Sequence, residues 1–337
     1  MQIGGENATF VMLVRNRELN QALHSIREVE DRLNKKLKYP WTFLNDEPFT
    51  EEFKTLTTGL VSGATEYYLI EKEFWSRPDN IDDEKLEESM NQMTENGVIY
   101  GHSESYRHMC RFNSGFFFRT APMLKYDWYW RVEPDTHYYC EIDYDPFEFM
   151  RVNNKTYGFV IALQEYEDTI PTLWQHTIDF FYNLFPQHVA ENNSFDFIGD
   201  LSLARPGDVE PQTKTGYNLC HFWSNFEIGN LNFFRSQAYL DYFNYLESKQ
   251  GFFYERWGDA PVHSLAVSIM LDKHQIHHFD DIGYYHPPFW RCPHDEESYV
   301  SGRCVCPKAT ADEDNFDFSP FSCLPRWWKL TGKHHIA

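Results

Sequence analysis

No stretch of this sequence approaches the roughly 18 consecutive apolar residues that a membrane-spanning helix needs. The start, Met1-Gln2-Ile3-Gly4-Gly5, lacks a basic segment running into an apolar core, so neither a span nor a signal peptide is expected. Basic residues are scarce too: 30 Lys and Arg stand against 51 Asp and Glu, a formal net charge of −21. A polyanion is repelled by phosphate backbones, which removes the usual driving force for nucleic-acid binding. By the same token, any phosphate-bearing ligand needs local help from a metal ion, a few arginines or a helix N-terminus. Seven cysteines in 337 residues are too few for a disulfide scaffold. Cys292, Cys304, Cys306 and Cys323 nevertheless crowd a C-terminal segment with little apolar periodicity, the kind of segment that needs staples. Cys304-x-Cys306 with His294 has the wrong spacing for the common zinc sites, so disulfides with one cysteine left over are expected. Sequons at Asn7, Asn154 and Asn192 agree with an oxidising secretory compartment.

A 42% hydrophobic fraction is ample for a full core, and at roughly 150 residues per domain the length suits two domains or one large α/β unit. Thr9 to Val14 is a continuous apolar run suited to a strand buried on both faces. Leu19, Leu23, Ile26, Val29 and Leu33 then recur at helical spacing, predicting an amphipathic helix over 18–37. Further strands are predicted at Trp41–Leu44 and Tyr67–Ile70, and a helix at Leu86–Met93 closed by Gly97. This alternation predicts a parallel, doubly wound sheet whose ligands sit beyond the carboxyl ends of the strands, where Arg15 and Asn16 fall. Later, Glu104–Phe112 reads as a helix and Tyr126–Val132 as an aromatic strand leading into Glu133-Pro134-Asp135. Phe147–Val152 and Tyr157–Gln164 are predicted to form an antiparallel hairpin. Helices are expected from Thr169 to Leu184, from Ser236 to Leu246, and from an Asp259 N-cap with Pro261 in the first turn to about Leu271. Leu201–Gly216, with two prolines, two glycines and little patterning, is the best loop or lid candidate.

Proline holds the two acids of Glu133-Pro134-Asp135 rigidly at a strand's carboxyl end, an oxygen-rich site suited to a divalent cation that bridges diphosphate oxygens. A surface turn of solvated acids explains the tripeptide equally well. Glu227, amid Phe222, Trp223 and Phe226, is a carboxylate that desolvation could make reactive. His263 reads as a core histidine, and His286, pinned before two prolines, as either a metal ligand or a loop hydrogen-bonder. The 60 aromatic residues, many beside polar groups, suit the apolar faces and outward hydroxyls of sugars, or simply a large aromatic core.

Five segments in one order carry a resemblance: Tyr106-Arg107-His108-Met109-Cys110-Arg111-Phe112, Trp130-Arg131-Val132-Glu133-Pro134-Asp135, Phe222-Trp223-Ser224-Asn225-Phe226-Glu227-Ile228, Trp257-Gly258-Asp259-Ala260-Pro261-Val262-His263 and Gly283–Pro293. Over about residues 7 to 325 the chain resembles the fungal Golgi α-1,2-mannosyltransferases of Kre2/Mnt1 type. The resemblance implies a GT-A fold, a Rossmann-like and mostly parallel central sheet flanked by helices with a smaller antiparallel element. It implies GDP-mannose as donor, a mannoside or mannosylated glycoprotein as acceptor, Mn2+ as cofactor and retention of configuration. It also implies residence in the Golgi lumen as a type II membrane protein, whose membrane contact is an N-terminal anchor lying outside this chain. Residues 1–6 are then expected to be a stem or cloning remnant and 7–337 one catalytic domain, with a nucleotide-binding half over about 7–135 and an acceptor-binding half over 136–337. Carried over residue by residue, Glu133, Asp135 and His286 hold the metal, Glu227 is the catalytic carboxylate, Tyr106 reaches the donor and the reacting centre, and Asp259 and Trp223 contact the acceptor. Arg15 and Arg131 are added as diphosphate or nucleotide contacts on charge and position. Two other activities would use some of the same residues: a metal-dependent nucleotide-sugar hydrolase, and a non-catalytic mannose-binding module. The natural acceptor, the retaining route, the cysteine pairing and the oligomeric state stay open.

Overall fold

The computed structural model describes residues 4–200, 216–306 and 315–333. Its spine is a seven-stranded sheet in the order β3-β2-β1-β4-β11-β6-β12. The strands are β1 (Ala8–Leu13), β2 (Trp41–Asn45), β3 (Thr65–Leu69), β4 (Trp128–Arg131), β6 (Tyr157–Phe159), β11 (Glu227–Asn230) and β12 (Ile276–His278). β1 to β4 run parallel; β11 lies antiparallel between β4 and β6, and β12 is parallel to β6. Three small antiparallel sheets accompany it: β5 (His137–Tyr138) with β13 (Tyr284–His286) and β14 (Phe289–Arg291), β7 (Ala162–Gln164) with β10 (Cys220–Phe222), and β8 (Gly199–Asp200) with β9 (Gly216–Tyr217). After β1 the chain walks outward through β2 and β3, then returns to lay β4 on the other side of β1. That reversal makes a topological switch point, with a crevice beyond the carboxyl ends of β1 and β4.

Alternation along β1 explains the layering. Phe10 and Met12 join a core with Ala22, Ile26, Val29, Trp41, Phe43, Phe53 and Trp130, while Val11 joins a second with Leu44, Phe112, Phe117, Tyr129, Tyr157, Phe222 and Val262. The first core lies under the helices Leu19–Val29 and Glu51–Leu60, and the second under Glu104–Gly115 and Asp259–Met270. The predicted helix over 18–37 is Leu19–Val29 prolonged by a wider π turn (Glu30–Asn34) and Lys35–Leu37, ending at Lys38 with φ 60°. Within the turn the buried Glu30 carboxylate accepts from Asn34 Nδ2, Trp41 Nε1 and the Ser62 amide, tying helix to sheet.

Four expectations need correction. Phe147–Val152 is no hairpin strand: Asp145 accepts from the Phe147 and Glu148 amides and Pro146 opens a helix, Pro146–Val152, so capping chemistry outweighs β-propensity. Tyr157–Gln164 splits between two sheets, β6 pairing with β11 and β7 with β10. The helix placed at Thr169–Leu184 starts only at Leu173 and widens into a π turn over Asp179–Leu184. Asp259 is not the N-cap; Gly258 holds that position and the Asp259 carboxylate points elsewhere. Residues 201–215 of the lid candidate lie outside the described residues. Helix Glu51–Leu60, which the patterning did not reveal, is capped by Thr50 Oγ1 accepting from the Phe53 amide.

The cysteines pair as Cys140–Cys304, Cys220–Cys323 and Cys292–Cys306, and Cys110 remains a buried free thiol. Cys140, Cys304 and Cys306 are the one sulfur, nitrogen and carboxylate group close-set enough for a metal among the described residues, and their sulfurs are spent in disulfides. No helix among the described residues is long and apolar enough to cross a membrane.

Candidate functional site

The site grows from the register of β4 and β11. Glu227 opens β11 directly opposite Arg131, and Arg131 pairs on its other side with Val11 of β1. With a period of two, Tyr129 and Arg131 share one face of β4, and Glu133 follows just past the end of the strand. Across from Tyr129 stands Gly229, where a Cβ would come within 2.6 Å of the Tyr129 ring; the missing side chain lets Tyr129 lean toward Glu227. Tyr129 donates to Glu227 Oε1 at 2.9 Å, Tyr157 donates to Oε2 at 2.9 Å, and His263 Nδ1 meets Oε2 at 3.0 Å. Burial, reinforced by the Glu227 charge, pushes both tyrosine hydroxyls well above their ordinary range, so they act as donors. His263 Nε2 faces the Asn113 carbonyl at 3.1 Å, so the imidazole, from its place on helix Asp259–Met270, joins Glu227 of β11 to the helix Glu104–Gly115. Glu227 is 0% exposed, yet it lines a cavity of about 10 Å3 with Val11, Leu13, Leu44, Asn113, Phe117, Tyr129 and Arg131, room for about one water.

Arg131 joins the acids. Its Nε donates to Glu133 Oε1 at 2.6 Å and its Nη1 to Asp259 Oδ2, which also accepts from Ser224 Oγ at 2.8 Å. Burial pulls the Arg131 guanidinium down, but Glu133, Asp259 and Glu227 together hold it well above its usual range, a permanent cation. Burial would likewise raise Asp259; Arg131, His263 and the Ser224 hydroxyl outweigh it and keep Asp259 below the usual carboxylate range. For Glu133 the balance tips the other way, since loss of water raises it more than Arg131 lowers it. The network explains why Asp259 is no cap: its carboxylate is committed to Arg131 across the site.

The three expected metal ligands lie around this network without converging, and among the described residues their donor atoms form no cluster within 4.8 Å. Glu133 is engaged by Arg131. Asp135, exposed and in the left-handed region at φ 62°, carries no hydrogen bond among the described residues. His286 Nδ1 faces the Pro287 carbonyl at 3.0 Å. That contact fixes the tautomer that leaves Nε2 as a lone pair, the usual posture of a metal-bound histidine. Burial, opposed by the Pro287 carbonyl, lowers the His286 pKa and keeps the ring neutral, with Arg131 and Asp135 the nearest charges acting on it. A neutral imidazole, a free carboxylate and a second carboxylate on the same turn are a donor set suited to a hard or borderline divalent ion such as Mn2+. The residues fit such an ion in chemistry and neighbourhood.

The remaining expected residues divide. Arg15, just past β1, donates from Nη2 to Ser105 Oγ, so it touches the start of helix Glu104–Gly115. Tyr106 follows on that helix; burial raises its hydroxyl well above the ordinary range, with Cys110, Arg256 and Asp259 as charged or polar neighbours. Trp223, in the turn between β10 and β11, sets its ring 4.9 Å from that of His286. Arg131, Glu133 and Asp259 are thus joined by ion pairs opposite Glu227 on β11, Arg15 meets the start of the helix that carries Tyr106, and Trp223 and His286 set their rings together with the Asp135 charge acting on His286. The sequence left Tyr129, Tyr157, Ser224 and Arg256 unremarked. Tyr129 was open to discovery, since alternation from Arg131 puts it on the site face; Tyr157 arrives through a long-range strand pairing that leaves no local signal.

Comparison with known proteins bears on this geometry. The family described as glycolipid 2-alpha-mannosyltransferase matches residues 3–332. The probable mannosyltransferase KTR2 of Saccharomyces cerevisiae is 52% identical over 98% of this chain and 78% of its own length. The O-glycoside alpha-1,2-mannosyltransferase homolog 3 of Schizosaccharomyces pombe is 53% identical over 95% of this chain and 82% of its own. Among solved structures, core-mannan synthase A from Aspergillus fumigatus in its Mn/GDP form superposes with a TM-score of 0.86 at 42% identity, covering 97% of this chain and 86% of that one. The mannosyltransferase Ktr4p of S. cerevisiae in complex with GDP superposes with a TM-score of 0.87 at 39% identity, over 99% and 84%.

Proposed function

The chain belongs to the glycolipid 2-alpha-mannosyltransferase family, which the match over residues 3–332 establishes, and from that premise we propose that it is a GT-A, Mn2+-dependent transferase carrying mannose from GDP-mannose to the 2-hydroxyl of an α-mannoside with retention. The observation that carries this reading is the crevice at the carboxyl ends of β1 and β4. There Arg131 links Glu133 to Asp259 above Glu227, in a chain that superposes on a Mn/GDP-bound relative. The acceptor is a mannoside or mannosylated glycoprotein. Residues 7–135, which supply the β1–β4 half, take the nucleotide, and 136–337, which supply Glu227, Asp259, Trp223 and His286, complete the acceptor side. Three disulfides suit a secretory compartment; the Golgi lumen, with the chain tethered as a type II membrane protein, is the proposed location.

Glu133, Asp135 and His286 would hold the cation, which supplies charge stabilisation to the diphosphate as the sugar leaves. Arg15 and Arg131 stand beside it as donor-side contacts, Arg131 through a guanidinium already shared with Glu133 and Asp259. In the reaction the bond between C1 and the phosphate oxygen breaks with its electron pair going to GDP, a bond forms from the acceptor 2-oxygen to C1, and the hydroxyl proton passes to the departing phosphate oxygen. Asp259, kept ionised by Arg131, accepts a hydrogen bond from an acceptor hydroxyl and orients it, with Trp223 as a platform for the sugar face. Glu227 faces the oxocarbenium-like centre with a negative charge held by three donors. Three hydrogen bonds on the Glu227 carboxylate leave a lone pair on Oε1, so Glu227 can serve either as the nucleophile of a mannosyl-enzyme or as the charge that stabilises front-face attack.

The test is incubation of the chain with GDP-mannose and methyl α-mannoside, with Mn2+ or with EDTA, and identification of the product by NMR. An α-1,2 disaccharide formed only with the metal is expected. A β-linked product, transfer undiminished in EDTA, or GDP and free mannose without any need for acceptor would overturn the proposal.

A further inference from the structure

Arg256 precedes the Trp257-Gly258-Asp259 segment and was singled out by no pattern in the sequence. Its side chain is only 3% exposed. Burying a cation is costly unless it is paired, yet among the described residues no carboxylate lies within ion-pair distance of Arg256, and its guanidinium makes no hydrogen bond. Its Nε is fully enclosed and partnerless. What holds the group is the ring of Tyr106, whose centroid lies 4.9 Å from the guanidinium carbon, a stacking that fixes the plane but leaves the nitrogen edges free.

The surroundings deepen the imbalance. Arg107, one residue along the helix from Tyr106, is fully buried, and its guanidinium donates to the backbone carbonyls of Gly101, Ser103, Phe253 and Glu255. Burial and then the positive charge of Arg256 pull Arg107 down to about 10. Two buried cations thus lie near enough to repel beside the N-terminal turn of the 12-residue helix Glu104–Gly115, whose dipole adds further positive potential. One position along, Arg15 grips Ser105, so a third cation closes the same turn. The acids nearby are spent elsewhere, Glu104 of the same turn on Arg77 and Asp259 on Arg131, so the buried Arg256 guanidinium is costly unless an anion completes it.

We infer that Arg256 is a binding residue for the diphosphate of the donor, its free guanidinium edge taking a phosphate oxygen while Tyr106 holds its plane. The inference rests on the transferase reading and adds to it one recognition residue that neither the metal site nor the acceptor group requires. A neutral mannoside offers no charge to satisfy a buried guanidinium; the diphosphate is the anionic part of the reactants, so Arg256 belongs to the donor side.

The test is isothermal titration of GDP, and of guanosine, into the Mn2+-loaded wild type, Arg256→Gln and Arg256→Lys, together with donor and acceptor KM values. For Arg256→Gln, GDP affinity should fall about ten- to a hundredfold, the worth of a charge-assisted hydrogen bond in a buried site. Guanosine binding and the acceptor KM should stay within about twofold, because neither contact depends on that bond. Arg256→Lys, which keeps the charge but not the fork, should fall between. A folded Arg256→Gln with wild-type GDP affinity, or a loss that falls on the acceptor KM, overturns the assignment. Should Arg256→Gln fail to fold, a crystal structure of the wild type with Mn2+ and GDP decides: a guanidinium nitrogen within hydrogen-bond distance of a phosphate oxygen supports it, and a diphosphate directed away from Arg256 overturns it. A wild type that binds no GDP sinks the transferase reading and this assignment with it, whereas a competent wild type with an indifferent variant sinks the role of Arg256 alone.

Discussion

Replacing Glu227 with Gln separates charge from shape at the centre of the site. The carboxylate accepts three hydrogen bonds, two on Oε2 from Tyr157 and His263 and one on Oε1 from Tyr129. A glutamine can keep its oxygen toward Tyr157 and His263 and turn its amide toward Tyr129, whose hydroxyl can accept as well as donate. All three contacts then survive in neutral form, and each loses about 1 kcal/mol, the difference between a charged and a neutral hydrogen bond. A total of about 2–4 kcal/mol over 337 residues corresponds to a fall of about 3–6 °C in Tm. Activity should suffer far more. Losing a preorganised charge beside the reacting centre costs about 100- to 1,000-fold in kcat, while GDP affinity, which depends on the metal and the arginines, should change by less than about twofold. Disaccharide formation followed by NMR, GDP titration and a thermal melt read the three quantities. Turnover within about threefold of wild type, with Tm lowered as expected, would show that Glu227 is a scaffold for the tyrosines and would refute the reasoning. A parallel collapse of GDP affinity would refute it differently, by placing the effect on Arg131 and donor binding.

Other perturbations probe the frame. Asp317→Asn leaves Arg291, 0% exposed, without its ionic partner, and should cost about 3–5 kcal/mol in chemical denaturation; a loss under 1 kcal/mol would mean that the carbonyls of Phe279, Ile282 and Asp280 suffice to hold Arg291. Removing Cys140–Cys304, which spans 164 residues, should destabilise by up to about 5 kcal/mol, against about 3 for Cys292–Cys306 across 14 residues; the reverse order in denaturant midpoints would contradict a chain-entropy origin. Burial lowers the His277 pKa to about 4, below its unfolded value near 6.5, so the unfolded chain binds the proton first and stability present above pH 6.5 is lost as pH falls toward 4. His277→Gln should narrow the stability gap between pH 7 and pH 5 by about 1–2 kcal/mol; an unchanged gap would assign the acid sensitivity to other groups. Asp135→Asn removes a free carboxylate from the proposed metal set and should raise the Mn2+ concentration for half-maximal activity about 10- to 100-fold; an unchanged Mn2+ dependence would strike Asp135 from that set.

The parts of this structure legible in the sequence are those with short-range causes. The run Thr9 to Val14 and the helical spacing of Leu19 to Leu33 are local patterns, and they mark β1 and its helix to within a residue or two at the start. The hairpin failed because Asp145-Pro146, just before the expected strand, is a strong helix opening, and a capping pair is worth more than the β-propensity of Phe147 and Phe149. Helix Glu51–Leu60 escaped notice because it buries only Phe53 and Thr57, too few apolar positions for a periodic signal. Asp259 was read as a cap because a first-turn aspartate satisfies that role on local grounds; only the fold, which brings its carboxylate to Arg131 of β4, reveals its partner.

Charge gives the deepest reason why the site was half visible. An acidic chain can hold a diphosphate only by gathering cations in one place, and the sequence shows Arg15, Arg107, Arg131 and Arg256 scattered far apart along the chain with nothing to say which are already neutralised. Folding sorts them. Arg131 is committed to Glu133 and Asp259, and Arg107 spends its donors on backbone carbonyls. Arg15 is tied to a serine hydroxyl and so keeps its charge, and Arg256 meets only an aromatic face. The cations that matter for an anionic ligand are those the fold leaves uncompensated, a property of three-dimensional pairing that composition cannot report. On this argument Arg131 serves chiefly to position Asp259 and Glu133, and Arg131→Lys, which keeps the charge but cannot fork to both acids, should lower kcat more than it weakens GDP. An effect confined to GDP affinity would return Arg131 to the diphosphate and reverse the division of labour.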